Sequence, residues 1–220
     1  MKQSIFTVRA NECIALNTYR MELEGDTSDV TAAGQFVNIK LDGFFLRRPI
    51  SVYDCDEERL GLIYKVVGKG TEYMAGLEKG AKLDILTGLG NGYDLTKSGD
   101  RPLLIGGGAG VPPMYYLCRK LIAEGKKPAV VMGFNKADEI FCEEEFKKLG
   151  ADVIIATADG SVGVKGFVTD AIKDMDYTYV YTCGPEPMLK AVYNSINTSG
   201  QVSFEERMGC GFGACMGCSC

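Results

Sequence analysis

Apolar and polar positions change their period once along this chain, near residue 100. Before that point apolar residues recur at every second position in short runs, most clearly in YRMELEG (19–25) and FVNIKL (36–41). Period two places one side of a strand in a core and the other outside it. Strands are expected over residues 5–9, 19–23, 36–41, 50–53, 62–67 and 82–86, all rich in β-branched and aromatic residues. Gly, Asp and Asn separate them at the intervals of a small barrel or sandwich. The stretch 70–78, GTEYMAGLE, is the one short helix of this half. After Arg101-Pro102 the apolar runs become short and unbroken and alternate with segments of helical period. Strands are expected over 103–105, 129–134, 153–157 and 179–182, with helices over 114–124, 138–149, 168–173 and 187–197. Such alternation builds a mostly parallel sheet covered on both faces. The expected fold is an all-β barrel domain (residues 1–98) followed by an α/β parallel-sheet nucleotide-binding domain (99–200), with a separate C-terminal segment (201–220).

Composition narrows the class. The 220 residues are 46% hydrophobic and 24% charged, ordinary for a globular protein of one large or two small domains. A net charge of -5 argues against nucleic acid or an anionic membrane as partner. The N-terminus lacks the apolar core of a signal peptide, and no apolar run reaches the ~20 residues of a membrane span. Of nine cysteines, Cys13, Cys55, Cys118, Cys142 and Cys183 stand singly, the pattern of reduced thiols in a cytoplasmic protein. There is no histidine. That removes the usual general base and His-ligated catalytic metals, so a cofactor is expected to carry any reaction.

Several glycine-bearing loops sit where a nucleotide would need them. In the barrel half, LRRPIS (46–51) offers guanidinium groups and a hydroxyl around a stiffening proline, suited to a bidentate hold on phosphate. Some twenty residues on, VGKGT (67–71) turns into the short helix, whose N-terminal amides make an anion site. An exposed arginine pair and an ordinary turn are the plain alternatives. TGLGNGY (87–93) permits close approach of a flat ligand, or serves as an interdomain linker. In the second half GGGAGVPP (106–113) lies between first strand and first helix, although it departs from G-x-G-x-x-G at Pro113. TADGS (157–161) and TCGPEPM (182–188) end two further strands, so three such loops share one edge of the sheet, where nucleotides bind.

The C-terminal SFEERMGCGFGACMGCSC holds Cys210, Cys215 and Cys218 at C-x4-C-x2-C spacing, the plant-type [2Fe-2S] ligand run. A zinc knuckle is the alternative, since C-x2-C also serves zinc. The lack of a second cysteine pair and of histidine favours the cluster. A fourth ligand normally lies well downstream, and Cys220 follows Cys218 too closely. A truncated C-terminus is therefore expected, with Cys220 or an outside ligand as the other options.

Taken in order, RRPIS, VGKGT, GLGNGY, GGGAGVPP, TADGS, CGPEPM and EERMGCGFGACMGC resemble the ferredoxin–NADP reductase superfamily over essentially the whole chain. More closely they resemble the family of class 1B dihydroorotate dehydrogenase electron-transfer subunits. The resemblance implies an FAD-binding barrel, an NAD(H)-binding α/β domain and a [2Fe-2S] segment. It assigns Arg48, Pro49, Ile50 and Ser51 to the flavin, and Val67, Gly68, Gly70 and Thr71 to the FAD pyrophosphate. Gly90 and Asn91 join the flavin set. Gly106, Gly107, Gly108, Gly110 and Pro112, with Cys183, Gly184, Pro185 and Met188, are implied for the nicotinamide dinucleotide, and Asp159 for its adenosine ribose. Cys210, Cys215 and Cys218 are the implied cluster ligands. The implied partner is an FMN-containing dihydroorotate dehydrogenase catalytic subunit, in a heterotetramer of two of each. Electrons would pass from dihydroorotate through FMN, cluster and FAD to NAD+, with the pyridine nucleotide docked against the flavin ring. One Lys and no Arg in GFNKADE (133–139), beside Asp138 and Glu139, favours NAD over NADP. A related relay, such as a ferredoxin:NADP oxidoreductase or sulfite reductase subunit, shares the first six motifs. A nucleotide-binding module with a zinc tail is a third, non-catalytic reading.

Overall fold

The computed structural model describes residues 1–204 and 208–215, and it divides the chain into two compact units. The first takes in residues 1–92 together with the C-terminal stretch from 206. Among the described residues its strands are β1 (Lys2–Ala15), β2 (Thr18–Glu24), β3 (Phe36–Lys40), β4 (Arg48–Cys55), β5 (Arg59–Lys65) and β6 (Lys82–Leu89), with helix α1 (Lys69–Ala75) between β5 and β6. They close into an antiparallel barrel in the order β1-β2-β5-β4-β3-β6. The period-two pattern explains the closure. Phe6 and Val8, Met21 and Leu23, Val37 and Ile39, and Leu60 and Leu62 are pairs two residues apart, and none exposes any surface. Each such burial stabilises the fold by about 1.5–3 kcal/mol.

β1 runs much further than its alternation suggests. Register shifts between Val8 and Ala10 and between Cys13 and Ala15 let it bend and pair with both β2 and β6. Arg9, Asn11 and Glu12, which hid its second half from a pattern reading, lie in that bent portion.

The second unit spans residues 93–205. Its strands are β7 (Pro102–Gly107), β8 (Ala129–Phe134), β9 (Asp152–Thr157), β10 (Val164–Lys165), β11 (Tyr179–Cys183) and β12 (Gly200–Ser203). Its helices are α2 (Val111–Ala123), α3 (Glu143–Leu149), α4 (Val168–Ala171) and α5 (Glu186–Ser195). The sheet order is β10-β9-β8-β7-β11-β12 and every pairing is parallel. One core joins Leu103, Ile105, Val131 and Val180 of the sheet to Val168, Ile172 and Val192 on the side of α4 and α5. α2 and α3 pack together against the strands as well. Because the chain leaves β7 toward β8 on one side and returns to β11 on the other, the order in which strands are added switches sides between β7 and β11, with every strand still parallel. That crevice is where an open α/β sheet takes its ligand.

The barrel-then-parallel-sheet architecture agrees with the sequence reading. Three local expectations are corrected. The helix expected over 138–149 begins only at Glu143, because Cys142 adopts a left-handed conformation (φ 64) and a separate short turn covers Ala137–Glu139. Glu143, Glu144 and Glu145 crowd the first turn of the helix that does form, where the dipole favours them. β10 and β12 were not anticipated. They are two and four residues long, and hydrogen bonding to a finished neighbour strand makes them strands. Among the described residues no helix is long and apolar enough to cross a membrane.

Candidate cofactor-binding sites

In the barrel, β4 begins at Arg48 and carries Pro49, Ile50 and Ser51, paired with Asn38, Val37 and Phe36 of β3. The two arginines of the motif divide the work. Arg47 is held by three oxygens: its guanidinium donates to Asp84 Oδ1 at 3.1 Å from Nη1 and from Nη2, to the Asp84 carbonyl at 3.1 Å and to the Asn38 carbonyl at 3.3 Å. It fastens the β3–β4 loop to β6. Arg48 lies 4.9 Å over the Phe44 ring and also hydrogen-bonds the Leu46 carbonyl. A Cβ on Gly70 would sit 2.0 Å from Arg48 Nε, so only glycine lets the guanidinium cross the start of α1. The arginine strand and the VGKGT turn, twenty residues apart, are thus one site.

Thr71 organises that turn from within. Its hydroxyl accepts from the Val67 amide at 2.9 Å and the Gly68 amide at 3.3 Å, and donates to the Gly68 carbonyl at 3.0 Å. Thr71 therefore stabilises the turn by occupying the Val67 and Gly68 amides, so any first-turn amide open to an anion belongs to a residue after Gly68. The arrangement fits a pyrophosphate: one guanidinium beside first-turn amides.

Gly90 and Asn91 are exposed after β6. The Gln35 side chain donates to the Gly90 carbonyl at 3.2 Å while accepting from the Thr31 and Ala32 amides at 2.8 and 3.0 Å. The glycines of TGLGNGY are there in part to let this loop pack against residues 29–36.

In the α/β unit Gly106 and Gly107 end β7, Gly108 and Gly110 form a short turn, and Pro112 lies in the first turn of α2. Cys183 ends the adjacent β11, paired with Gly106, and Gly184 and Pro185 lead into α5. The two loops are pressed together. A Cβ on Gly110 would stand 2.2 Å from the Cys183 carbonyl, and one on Gly107 would stand 2.4 Å from Met188 Sδ. Met188 thus lies against both Gly107 and Gly184, while Cys183 is 1% exposed. Tyr93 donates to the Thr182 carbonyl at 3.4 Å, and burial pushes its phenol well above the ordinary range. The Thr182 hydroxyl is buried with no hydrogen-bond partner among the described residues, a polar atom at the end of β11 left for something else.

Asp159 follows β9 and accepts from the Ser161 amide at 2.9 Å and hydroxyl at 2.6 Å, which holds its carboxyl below the usual range. The Ser161 hydroxyl in turn accepts from the Ala137 amide at 2.9 Å, bringing the loops after β8 and β9 together. Lys136 is bound to Asp138 at 2.9 Å, with its charge favoured by that contact first and then by Glu139 and Asp159. One lysine among three carboxylates does not suit a 2′-phosphate.

Two of the three expected cluster cysteines are described. The Cys210 sulfur accepts from the Cys215 amide at 3.4 Å. Amides of Phe212, Cys215 and Ala214 together hold its thiol down to about 6. A Cβ on Gly209 would stand 3.1 Å from Cys215 Sγ, so the second thiol lies against the same turn. A loop that turns several amides toward a thiolate fits an iron–sulfur ligand. Cys218 lies outside the described residues, among which no group of three metal-ligating side chains converges. No described cysteine forms a disulfide.

A closed barrel with a guanidinium over a glycine-started helix, and a parallel sheet with glycine loops at its switch point, fit the flavin- and pyridine-nucleotide-dependent reductase class. Residues 104–194 match the family model described as oxidoreductase NAD-binding domain. The chain is 46% identical to the dihydroorotate dehydrogenase B (NAD(+)) electron transfer subunit of Fusobacterium nucleatum subsp. nucleatum, over all of this chain and 90% of that one. The subunit of the same description from Shouchella clausii is 42% identical, over all of this chain and 88% of that one. A solved NADH-dependent reduced ferredoxin-NADP oxidoreductase superposes with a TM-score of 0.87 at 27% identity, covering 97% of this chain and 80% of that one. The chain belongs to the family of dihydroorotate dehydrogenase B (NAD(+)) electron transfer subunits.

Proposed function

We propose that this chain relays electrons from an FMN-containing dihydroorotate dehydrogenase catalytic subunit to NAD+, working in the cytoplasm as a heterotetramer of two of each. Residues 1–98 would bind FAD, 99–200 NAD(H), and 201–220 a [2Fe-2S] cluster. The observation that supports the reading is Arg48 lying across Gly70, which brings two distant motifs together where a phosphate would be held.

When bound, FAD and the cluster supply the conversion between one-electron steps and hydride transfer to NAD+. The chain's own residues bind and orient. Arg48 would neutralise phosphate, and Pro49, Ile50 and Ser51, paired with β3, would line the flavin beside it. Gly106, Gly107, Gly108 and Gly110 bring backbone amides close to the dinucleotide, and Pro112 fixes the first turn of α2 behind them. Cys183, Gly184 and Pro185 form the opposite wall. Cys210 and Cys215, with Cys218, supply thiolates to iron. No side chain needs to move a proton, in keeping with a chain that contains no histidine.

The test is the purified complex with its catalytic partner. Flavin and iron–sulfur absorbance with NAD+ reduction driven by dihydroorotate is the expected result. A chain that co-purifies with no FMN protein and yields no such reduction sinks the proposal. The ferredoxin:NADP relay is the second reading, favoured by the solved neighbour at 27% identity. Lys136 among Asp138, Glu139 and Asp159 weighs against it, and preference for NADPH with ferredoxin as acceptor would support it.

A further inference from the structure

Asn38 is a polar residue in the middle of β3 that is only 1% exposed. Its neighbours Val37 and Ile39 point into the barrel, so alternation turns Asn38 outward, as it does Lys40, which is exposed. What covers Asn38 from outside is the far end of the chain. Its Nδ2 donates to the Cys210 carbonyl at 3.0 Å, across 172 positions of sequence. Gly211 follows with φ +77, and a Cβ there would stand 2.8 Å from Asn38 Nδ2 and 3.6 Å from Phe36 Cε2. Its Oδ1 is buried without a partner among the described residues, so the side chain is held in place by its donor end. The Asn38 carbonyl accepts from Arg47, whose neighbour Arg48 opens β4, and Asn38 pairs with Pro49.

We propose that Asn38 is a positioning residue that clamps the Cys210 turn onto the barrel wall. It thereby ties the thiolate turn, through Arg47, to the strand that carries Arg48 and Ser51. The inference rests on the cluster reading of Cys210, Cys215 and Cys218 for its purpose, and on geometry alone for the clamp. Gly211 is the matching requirement on the other side, since any side chain there meets Asn38.

The test compares the wild-type holo-complex with Asn38→Asp, which keeps the shape and loses the donor, and with Gly211→Ala, whose change lies in the turn itself and leaves the barrel intact. Hydrogen exchange at residues 208–215 is expected to quicken at least ten-fold in both. Iron per FAD should fall below half, and the electron paramagnetic resonance signal of the remaining reduced cluster should broaden. Flavin content and NADH-driven reduction of a dye acceptor should stay at wild-type level. Unchanged exchange in both variants overturns the clamp. If wild-type protein holds no iron, the cluster reading fails separately, and the exchange result still decides whether Asn38 docks the turn.

Discussion

Close approach decides most at the residue scale. Arg48 and Gly70 occupy each other's space, so the two positions should act as one on flavin affinity. Arg48→Ala removes a charge-assisted contact worth about 1.5–3 kcal/mol, a loss of FAD affinity of roughly ten- to a hundred-fold. Gly70→Ala displaces the same guanidinium and should cost a similar amount, and the double variant should cost little more than either. Additive losses in a fluorescence titration of FAD would separate the two positions. Asp159 makes a pH statement. Its folded pKa lies below the ordinary aspartate value because the Ser161 hydroxyl and amide donate to the ionised form. The turn's stabilisation is present above that ordinary value and lost as pH falls through the folded one. A carbon-13 titration should find the Asp159 midpoint depressed in the wild type and moved upward in Ser161→Ala. A midpoint at or above the ordinary value would mean that the turn is absent. Both features involve residues legible as candidates in sequence, and the resemblance singles out Arg48 of the arginine pair without saying what Arg47 does. Arg47 and Arg48 look alike in the string, and only the Asp84 carboxylate, thirty-seven positions away, shows that Arg47 is structural.

Among the elements, α1 depends on a strand far from it. The Asn11 side chain donates to the carbonyls of Met74, Ala75 and Leu77 at 2.9, 3.3 and 3.1 Å, satisfying the end of the helix. Tyr64 donates to Asn11 Oδ1 at 2.9 Å and fixes its orientation, and burial lifts the Tyr64 phenol above its ordinary value. Asn11→Ala should destabilise the protein by about 1–3 kcal/mol in urea unfolding, because the helix carbonyls and the tyrosine hydroxyl lose partners together. Tyr64→Phe should cost less. FAD affinity should fall in Asn11→Ala as the VGKGT turn loosens at the other end of α1, and an unchanged stability and affinity would remove Asn11 from this role. Asn11 falls outside the strand expected over residues 5–9, and no local signal marks it. The same limit hid β10, β12 and the true start of α3, each decided by a neighbour strand or by one left-handed residue, Cys142.

For the whole molecule, chain order sets which part stands alone. The second unit is contiguous, with its own core of Leu103, Ile105, Val131 and Val180, whereas the first unit needs both ends of the chain. Residues 93–204 made alone should therefore unfold cooperatively on heating and quench NADH fluorescence on binding it. Residues 1–92 alone should lack the Cys210 carbonyl that Asn38 binds. A non-cooperative second unit would show that its core is incomplete. By itself the amino-acid sequence determined the change from a barrel to a parallel sheet, since the period of apolar positions is a local property of each segment. It also marked the glycine loops and the cysteine spacing, because tight turns and thiolate ligands demand particular residue types at short range. Tertiary structure alone decided what holds Arg47, which loops meet at the β7–β11 crevice, and where the Cys210 turn docks. Those contacts join residues as many as 172 positions apart, and no short-range pattern encodes them.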